Sequence, residues 1–228
     1  MMTNLLAVDT STENCSVALQ WQGTFFSEAI ESPREHSQRL LPFVEGVLQQ
    51  GNVALNQLDG LVVGVGPGSF TGVRIGVSMA QGLAFSSELP VFPVSSLQAL
   101  AQQTIRKHKA EAVVACIDAR MGEIYYALYR SSNGIAEPLT DPAVAQPSVK
   151  LFSRHNLEGF HTAGTGWDNY SNVLDPENKL KQNADCRLPL AEDMLTIAAH
   201  GDISAVDAES LEPLYVRNEV TWKKLPGR

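Results

Sequence analysis

Two stretches of this chain follow the same plan. Leu5-Leu6-Ala7-Val8 is an apolar run closed by Asp9 and the polar turn Thr10-Ser11-Thr12, and Ser16 to Trp21 then alternates between apolar and polar residues. Val113 to Ile117 is likewise closed by Asp118; a turn containing Gly122 follows, and a second alternating stretch runs on to Leu128. A short apolar run stopped by turn formers reads as a buried strand, and alternation reads as a strand with one face covered. A glycine turn at Thr162-Ala163-Gly164-Thr165-Gly166, ahead of Trp167, echoes an earlier one at residues 64–72, Gly-Val-Gly-Pro-Gly-Ser-Phe-Thr-Gly. A unit repeated in the same order predicts two related α/β lobes facing one another, each a mixed sheet flanked by helices. The boundary is placed between residues 108 and 109, giving a first lobe over 1–108 and a smaller, degenerate one over 109–228. Residues 131–159 are rich in Pro and Ser and are assigned to no element.

Within the first lobe a third strand is expected over Thr24 to Ile30, completing an antiparallel meander after the Gly23 turn. Ser32-Pro33-Arg34-Glu35 then reads as a helix start, with Ser32 at the N-cap, Pro33 at N1 and Glu35 closing a capping box. That helix carries Leu40, Leu41, Val44, Val47 and Leu48 at helical spacing and should stop at Gly51. A buried strand over Leu61 to Val65, a second helix from about Thr71 to Ser87, a strand around Pro90 to Val94 and a third helix from Ser96 follow. Strand, helix, strand implies parallel pairing through right-handed crossovers.

Composition excludes several classes of protein. With 44% hydrophobic and 18% charged residues the chain should fold. Its net charge of −8 and its lack of a dense Lys/Arg block remove the electrostatic footprint of unaided nucleic-acid binding. Cys15, Cys116 and Cys186 are far apart with no C-x-x-C pair, so neither a disulfide framework nor a zinc site is indicated, and a reducing cytoplasm is expected. Neither a signal peptide nor a membrane span is expected. The five histidines show no H-E-x-x-H and no i, i+4 pair, which argues against a catalytic zinc.

The first glycine turn fails the known phosphate-binding patterns. It lacks the Lys of a P-loop, the third Gly of a dinucleotide fingerprint and the flanking glycines of a nucleophile elbow. What remains is a strand-to-helix turn that leaves two readings open, an anion site on backbone amides or a tight turn. The helix it launches carries a single charge, Arg74, and small residues recur at Gly72, Gly76 and Ala80. A helix apolar nearly all round is buried on both sides. Its own sheet covers one side; a neighbouring helix or a partner protein covers the other. With the leucine stripe of the first helix, it suggests an association surface made of Leu40, Leu41, Val44, Val47, Leu48, Val73, Gly76, Val77, Met79, Ala80 and Leu83. Asp9, with Thr10 and Ser11 beside it, and Asp118 end strands in corresponding positions. There they would meet a metal-bound nucleotide, or only cap their own turns. The basic aromatic stretch Thr221 to Pro226 reads either as a solvated tail or as a contact for RNA or a partner.

The segments LLAVDTSTENCSVAL, SPREHSQRLLP, VGVGPGSFTGVRIGVSMAQGLA, IDARMGEIYYALY, GTGW, AEDMLTIA and EPLYVRN together resemble the TsaB (YeaZ) family. The resemblance covers nearly the whole chain, with residues 131–158 and 170–187 contributing least. It implies the duplicated fold of the sugar kinase, Hsp70 and actin (ASKHA) superfamily. It also implies a role in making N6-threonylcarbamoyladenosine on the tRNA adenosine just after the anticodon. That role is a non-catalytic one, beside the transferase paralogue TsaD and the ATPase TsaE. In TsaD, Asn-His-Leu-Glu-Gly-His carries two metal-binding histidines; here the corresponding stretch is Ser95 to Leu100, with Ser96 and Leu100 in their places. The resemblance further implies an interface on the first two helices, about residues 33–50 and 71–87, which also forms a homodimer in the absence of TsaD. It implies tRNA contact only through the complex and no intrinsic cofactor, and leaves open ATP or ADP with Mg at the complex. The competing expectation is an independent nucleotide-binding phosphotransferase or hydrolase using the cleft between the lobes.

Overall fold

The computed structural model describes residues 3–216. The first sheet holds β1 (Leu5–Asp9), β2 (Asn14–Trp21), β3 (Thr24–Glu31), β4 (Gly60–Gly66) and β5 (Val91–Ser95), in the order β3-β2-β1-β4-β5. β1, β2 and β3 pair antiparallel, and β4 and β5 extend the sheet in parallel. Side chains alternate across a sheet, so the run Leu5 to Val8 serves two cores. Leu6 and Val8 face α1 (His36–Gly51) and α2 (Phe70–Ser87), whereas Leu5 and Ala7 face the opposite layer.

The second sheet holds β6 (Ala112–Arg120), β7 (Glu123–Ser132), β8 (Ile135–Pro138) and β10 (His161–Ala163) in the order β10-β6-β7-β8, and β9 (Ala143–Ala145) pairs with β7. β6, β7 and β8 form an antiparallel meander and β10 joins β6 in parallel, as β4 joins β1. The echo between the glycine turns is visible in the backbone: Gly66 has φ 96° and Gly164 φ 98°, each just before the helix that leaves its parallel strand. Those helices are α2 and α4 (Gly166–Leu174). The expected architecture, two mixed sheets flanked by helices, is therefore present.

α3 (Ser96–His108) lies between the sheets. Leu97, Leu100, Ala101 and Ile105 pack with the second sheet, Ala99 packs with the first, and Gln102 bonds to the β8 hairpin at Gly134 O (2.9 Å) and Ala136 N–H (2.8 Å). The proposed division after residue 108 separates the two sheets but not the packing. α5 (Ala191–His200) returns to the first sheet, where Ala191, Met194, Leu195 and Ile197 cover Leu5, Ala7 and Val62. Beyond it, Val206 pairs with Val91 at the β5 edge and Leu211 enters the core on the α1/α2 side. A sheet with both faces apolar needs a layer on each, and 36–87 supply only one.

One local expectation is corrected. The first helix begins at His36, with Glu35 at its N-cap and no side-chain cap bond. Residues 32–35 form a turn instead: Arg34 has φ 74°, Glu35 N–H donates to Ser32 O at 3.2 Å, and Ser32 N–H is drawn to Glu13 O at 3.1 Å. The Ser32 hydroxyl is buried without a partner, and Glu35 pairs with Arg39 at 2.9 Å. Among the described residues no helix is long and apolar enough to cross a membrane.

Candidate functional site

The glycine turn and the start of α2 close over the Asp9-Thr10-Ser11 turn. Ser69 N–H donates to Ser11 O (2.7 Å), the Thr10 hydroxyl donates to Gly72 O (2.7 Å), and Gly72 N–H donates to the Ser69 hydroxyl (3.2 Å). A Cβ on Gly68 would stand 2.0 Å from Ser11 O, and one on Gly72 2.2 Å from Thr10 O. The small residues therefore admit the β1–β2 turn of the same chain. Of the two readings of this loop, the packing supports the tight turn, in which part of the helix N-terminus is already hydrogen-bonded internally. Gly68→Ala is expected to cost about 3 kcal/mol or more, because the obstructing atom is backbone. Gly82→Ala, on the exposed side of the same helix with nothing within 4 Å of the added Cβ, should instead stabilise by about 0.5–1 kcal/mol. Thermal denaturation of the pair checks both signs.

The two aspartates part company in the structure. Asp9 is fully buried, with Oδ1 accepting from Ser11 N–H at 3.2 Å and Oδ2 lacking a partner. Burial pushes its carboxyl up to about 7, against bonds from Ser11 that pull it down. A cleft of about 930 Å³ does open between the lobes, lined by Ser11, Ser69 and Arg74 on one side and by Asp118, Arg120 and Tyr125 on the other. Asp9 and Thr10 are not in its wall, so the expected set of Asp9, Thr10, Ser11 and Asp118 is not assembled there; only Ser11 and Asp118 reach the cleft. Asp118 accepts from Arg120 N–H (2.8 Å) and from the Asn169 amide (3.3 Å), and the Arg120 guanidinium crosses to Glu13 at 2.7 Å. His36 also lines the cleft; its Nδ1 is buried and unpartnered, and burial lowers its pKa.

The expected association residues also divide. Leu40, Val44, Val47, Val73, Gly76, Val77 and Ala80 are buried in this chain's own core, because α1 and α2 lie over the sheet and the β1–β2 turn fills the small-residue side of α2. Leu48, Met79 and Leu83 are partly buried against the same core, and Leu41 is exposed. The outward face of α2 is Thr71, Ser78, Gly82, Phe85 and Ser86, an uncharged stripe ending on Phe85 at 72% exposure. Phe85 was missed by the sequence reading, although its place in a nearly charge-free helix was a signal. So was the stack beside the cleft, where the Arg74 guanidinium lies 3.4 Å from the centre of the Phe70 ring and donates to the Tyr215 hydroxyl at 2.7 Å.

The positions compared with the TsaD histidines have structural tasks. Ser96 is buried and donates to the Ser11 hydroxyl at 2.7 Å, and Leu100 belongs to the second core. The stretch Thr221 to Pro226 lies outside the described residues.

Two duplicated mixed sheets with a cleft between them agree with the match of residues 27–174 to a family model described as TsaD: tRNA N6-adenosine threonylcarbamoyltransferase. The "tRNA threonylcarbamoyladenosine biosynthesis protein TsaB" of Escherichia coli (strain K12) is 45% identical, over 98% of this chain and 99% of that protein. The protein of the same name from Haemophilus influenzae is 44% identical, over 98% of each. A solved structure described as YeaZ from Pseudomonas aeruginosa superposes with a TM-score of 0.86 at 41% identity, covering 94% of this chain and all of that one. The chain belongs to the family that this model describes and, within it, sits with the TsaB proteins.

Proposed function

We propose that this chain takes part in making N6-threonylcarbamoyladenosine in tRNA as a non-catalytic subunit in the cytoplasm, binding and activating a TsaD-type transferase paralogue together with the ATPase TsaE. The names of its relatives place them in that biosynthesis without stating a catalytic activity. The observation that carries the reading is the outer face of α2. A helix of 18 residues with one charge, whose solvent side ends on an exposed phenylalanine, is built to be covered. The same face would join two copies of the chain when the transferase is absent, and tRNA would be reached only through the complex.

The test uses residues outside the core. Phe85→Glu and Gly82→Arg should leave the fold intact and weaken association with the transferase of the same organism by at least about tenfold, the equivalent of 1.4 kcal/mol. Light scattering behind size exclusion reads it. A mixed complex of undiminished stability in both variants sinks the proposal. The 930 Å³ cleft favours the competing reading, an independent nucleotide-binding phosphotransferase or hydrolase. Calorimetric titration of the isolated chain with ATP or ADP and Mg²⁺ that releases no heat would remove it.

A further inference from the structure

At the end of α3 opposite Ser96, four side chains from three segments come close together. His108 ends α3, His161 opens β10, and Asp185 and Cys186 lie between α4 and α5. His108 Nε2 is 2.8 Å from Asp185 Oδ1, and a ring nitrogen of His108, a carboxylate oxygen of Asp185 and Cys186 Sγ all lie within 4.8 Å of one another. The His161 ring stands 6.2 Å from that of His108, tilted by 34°. Its Nδ1 is 2.9 Å from Asn183 Oδ1. An amide oxygen only accepts, so Nδ1 holds the proton and Nε2 keeps its lone pair; His161 stands just outside the three donors that lie within 4.8 Å of one another, and its ring would have to close in to ligate.

We propose that His108, Asp185 and Cys186, completed by His161, form a structural site for a divalent transition metal, Zn²⁺ by the chemistry of the donors. Two imidazoles, one thiolate and one carboxylate satisfy a tetrahedral ion of borderline softness, whereas a magnesium or calcium site would be all oxygen. On binding, the Cys186 S–H bond breaks, its proton passes to solvent and an S–Zn bond forms; the sulfur keeps its oxidation state. The direct contact between His108 and Asp185 gives way to ligation of both, with Asp185 using Oδ1. Lys107 Nζ, 3.5 Å from Asp185 Oδ2, retains the other oxygen. The half-exposed Asp185 gives the ion a way in, and Cys186 forms the buried base. Cys186 O accepts from Gly164 N–H at 2.7 Å, so the metal would fasten α3 to the segment paired with β10.

The experiment uses the tag-free full chain, stripped with chelator, then titrated with Co²⁺ and, in competition with a chromophoric chelator, with Zn²⁺. Expected are one ion per chain, a thiolate-to-cobalt absorption band with the intense visible bands of a tetrahedral ion, and an affinity that rises with pH as the thiol proton is released. His108→Ala, at the exposed end of α3, and His161→Gln, which keeps the volume of the buried ring position, should each weaken Zn²⁺ by more than about tenfold. Cys186→Ser should abolish the thiolate band while Cys15 and Cys116 remain. Absence of binding at one ion per chain overturns the site, and so does undiminished Zn²⁺ affinity in either histidine variant. The exposed His108 variant decides the matter even if a variant at buried Cys186 or His161 fails to fold.

Discussion

Arg106→Ala is expected to remove about 3–5 kcal/mol of stability, the cost of leaving a buried charge without its counterion. Arg106, on α3, donates to both carboxylate oxygens of Asp193 at 2.8 and 3.0 Å and also pairs with Glu192. Asp193, in the first turn of α5, is fully buried, whereas the arginine and Glu192 are more than a third exposed, so the effect is assigned to Asp193 and not to the pair as a surface salt bridge. Burial already holds the Asp193 carboxyl above its ordinary value, against the pull of the guanidinium. Without Arg106 it should rise further and escape its penalty by taking a proton. The deficit should therefore narrow in acid. A melting temperature lower by roughly 10 °C at pH 8, recovering at pH 5, is the expected result. The double variant Arg106→Ala with Asp193→Asn should lose less than Arg106→Ala alone. An acid-independent deficit, or an additive double variant, would mean that the arginine acts through its packing.

Asp9 predicts a second large effect, of opposite sense in pH. Its carboxyl sits at about 7 in the folded chain against an ordinary 3.8. Between those values the folded state keeps a proton that the unfolded state releases, so stability falls as pH rises through that window and is level above it. Integrated over the shift, the loss is about 4 kcal/mol. Asp9→Asn deletes this titration. The Asn side chain brings its own cost beside Gly64, but that cost does not depend on pH. The difference in unfolding free energy between variant and native chain should accordingly move in the variant's favour from pH 4 to pH 8. Denaturant unfolding across that range measures it, and parallel curves would show that Asp9 titrates normally.

Much of this fold was legible because its signals are local. Apolar runs of four or five residues ending at Asp9 and Asp118 marked the inner strand of each sheet, and the two glycine turns marked the strands beside them. The candidate site was less legible. Periodicity showed that α2 is apolar nearly all round, but not which neighbour takes which side. Gly72 and Gly76 accept the β1–β2 turn, a contact made across about 60 residues. The same limit hid α5, whose amphipathic pattern says that it packs but not that it packs on a sheet begun at Leu5. The capping box at Ser32 was misread for a different reason. The motif fits, but Arg34 turns left-handed and Ser32 N–H is claimed by Glu13, neither of which a helix-start motif encodes.

The return of α5 and Val206 to the first sheet bears on how the molecule is made. The lobe that carries the uncharged face of α2 is the first to be translated and the last to be finished, because Leu5, Ala7 and Val62 stay uncovered until residues 191–197 have emerged from the ribosome. A chain stopped short of them would leave one face of the sheet bare and the β5 edge without Val206. Assembly with any partner is thus tied to completed synthesis, and a truncated product is exposed as an aggregation-prone intermediate rather than admitted as a defective subunit.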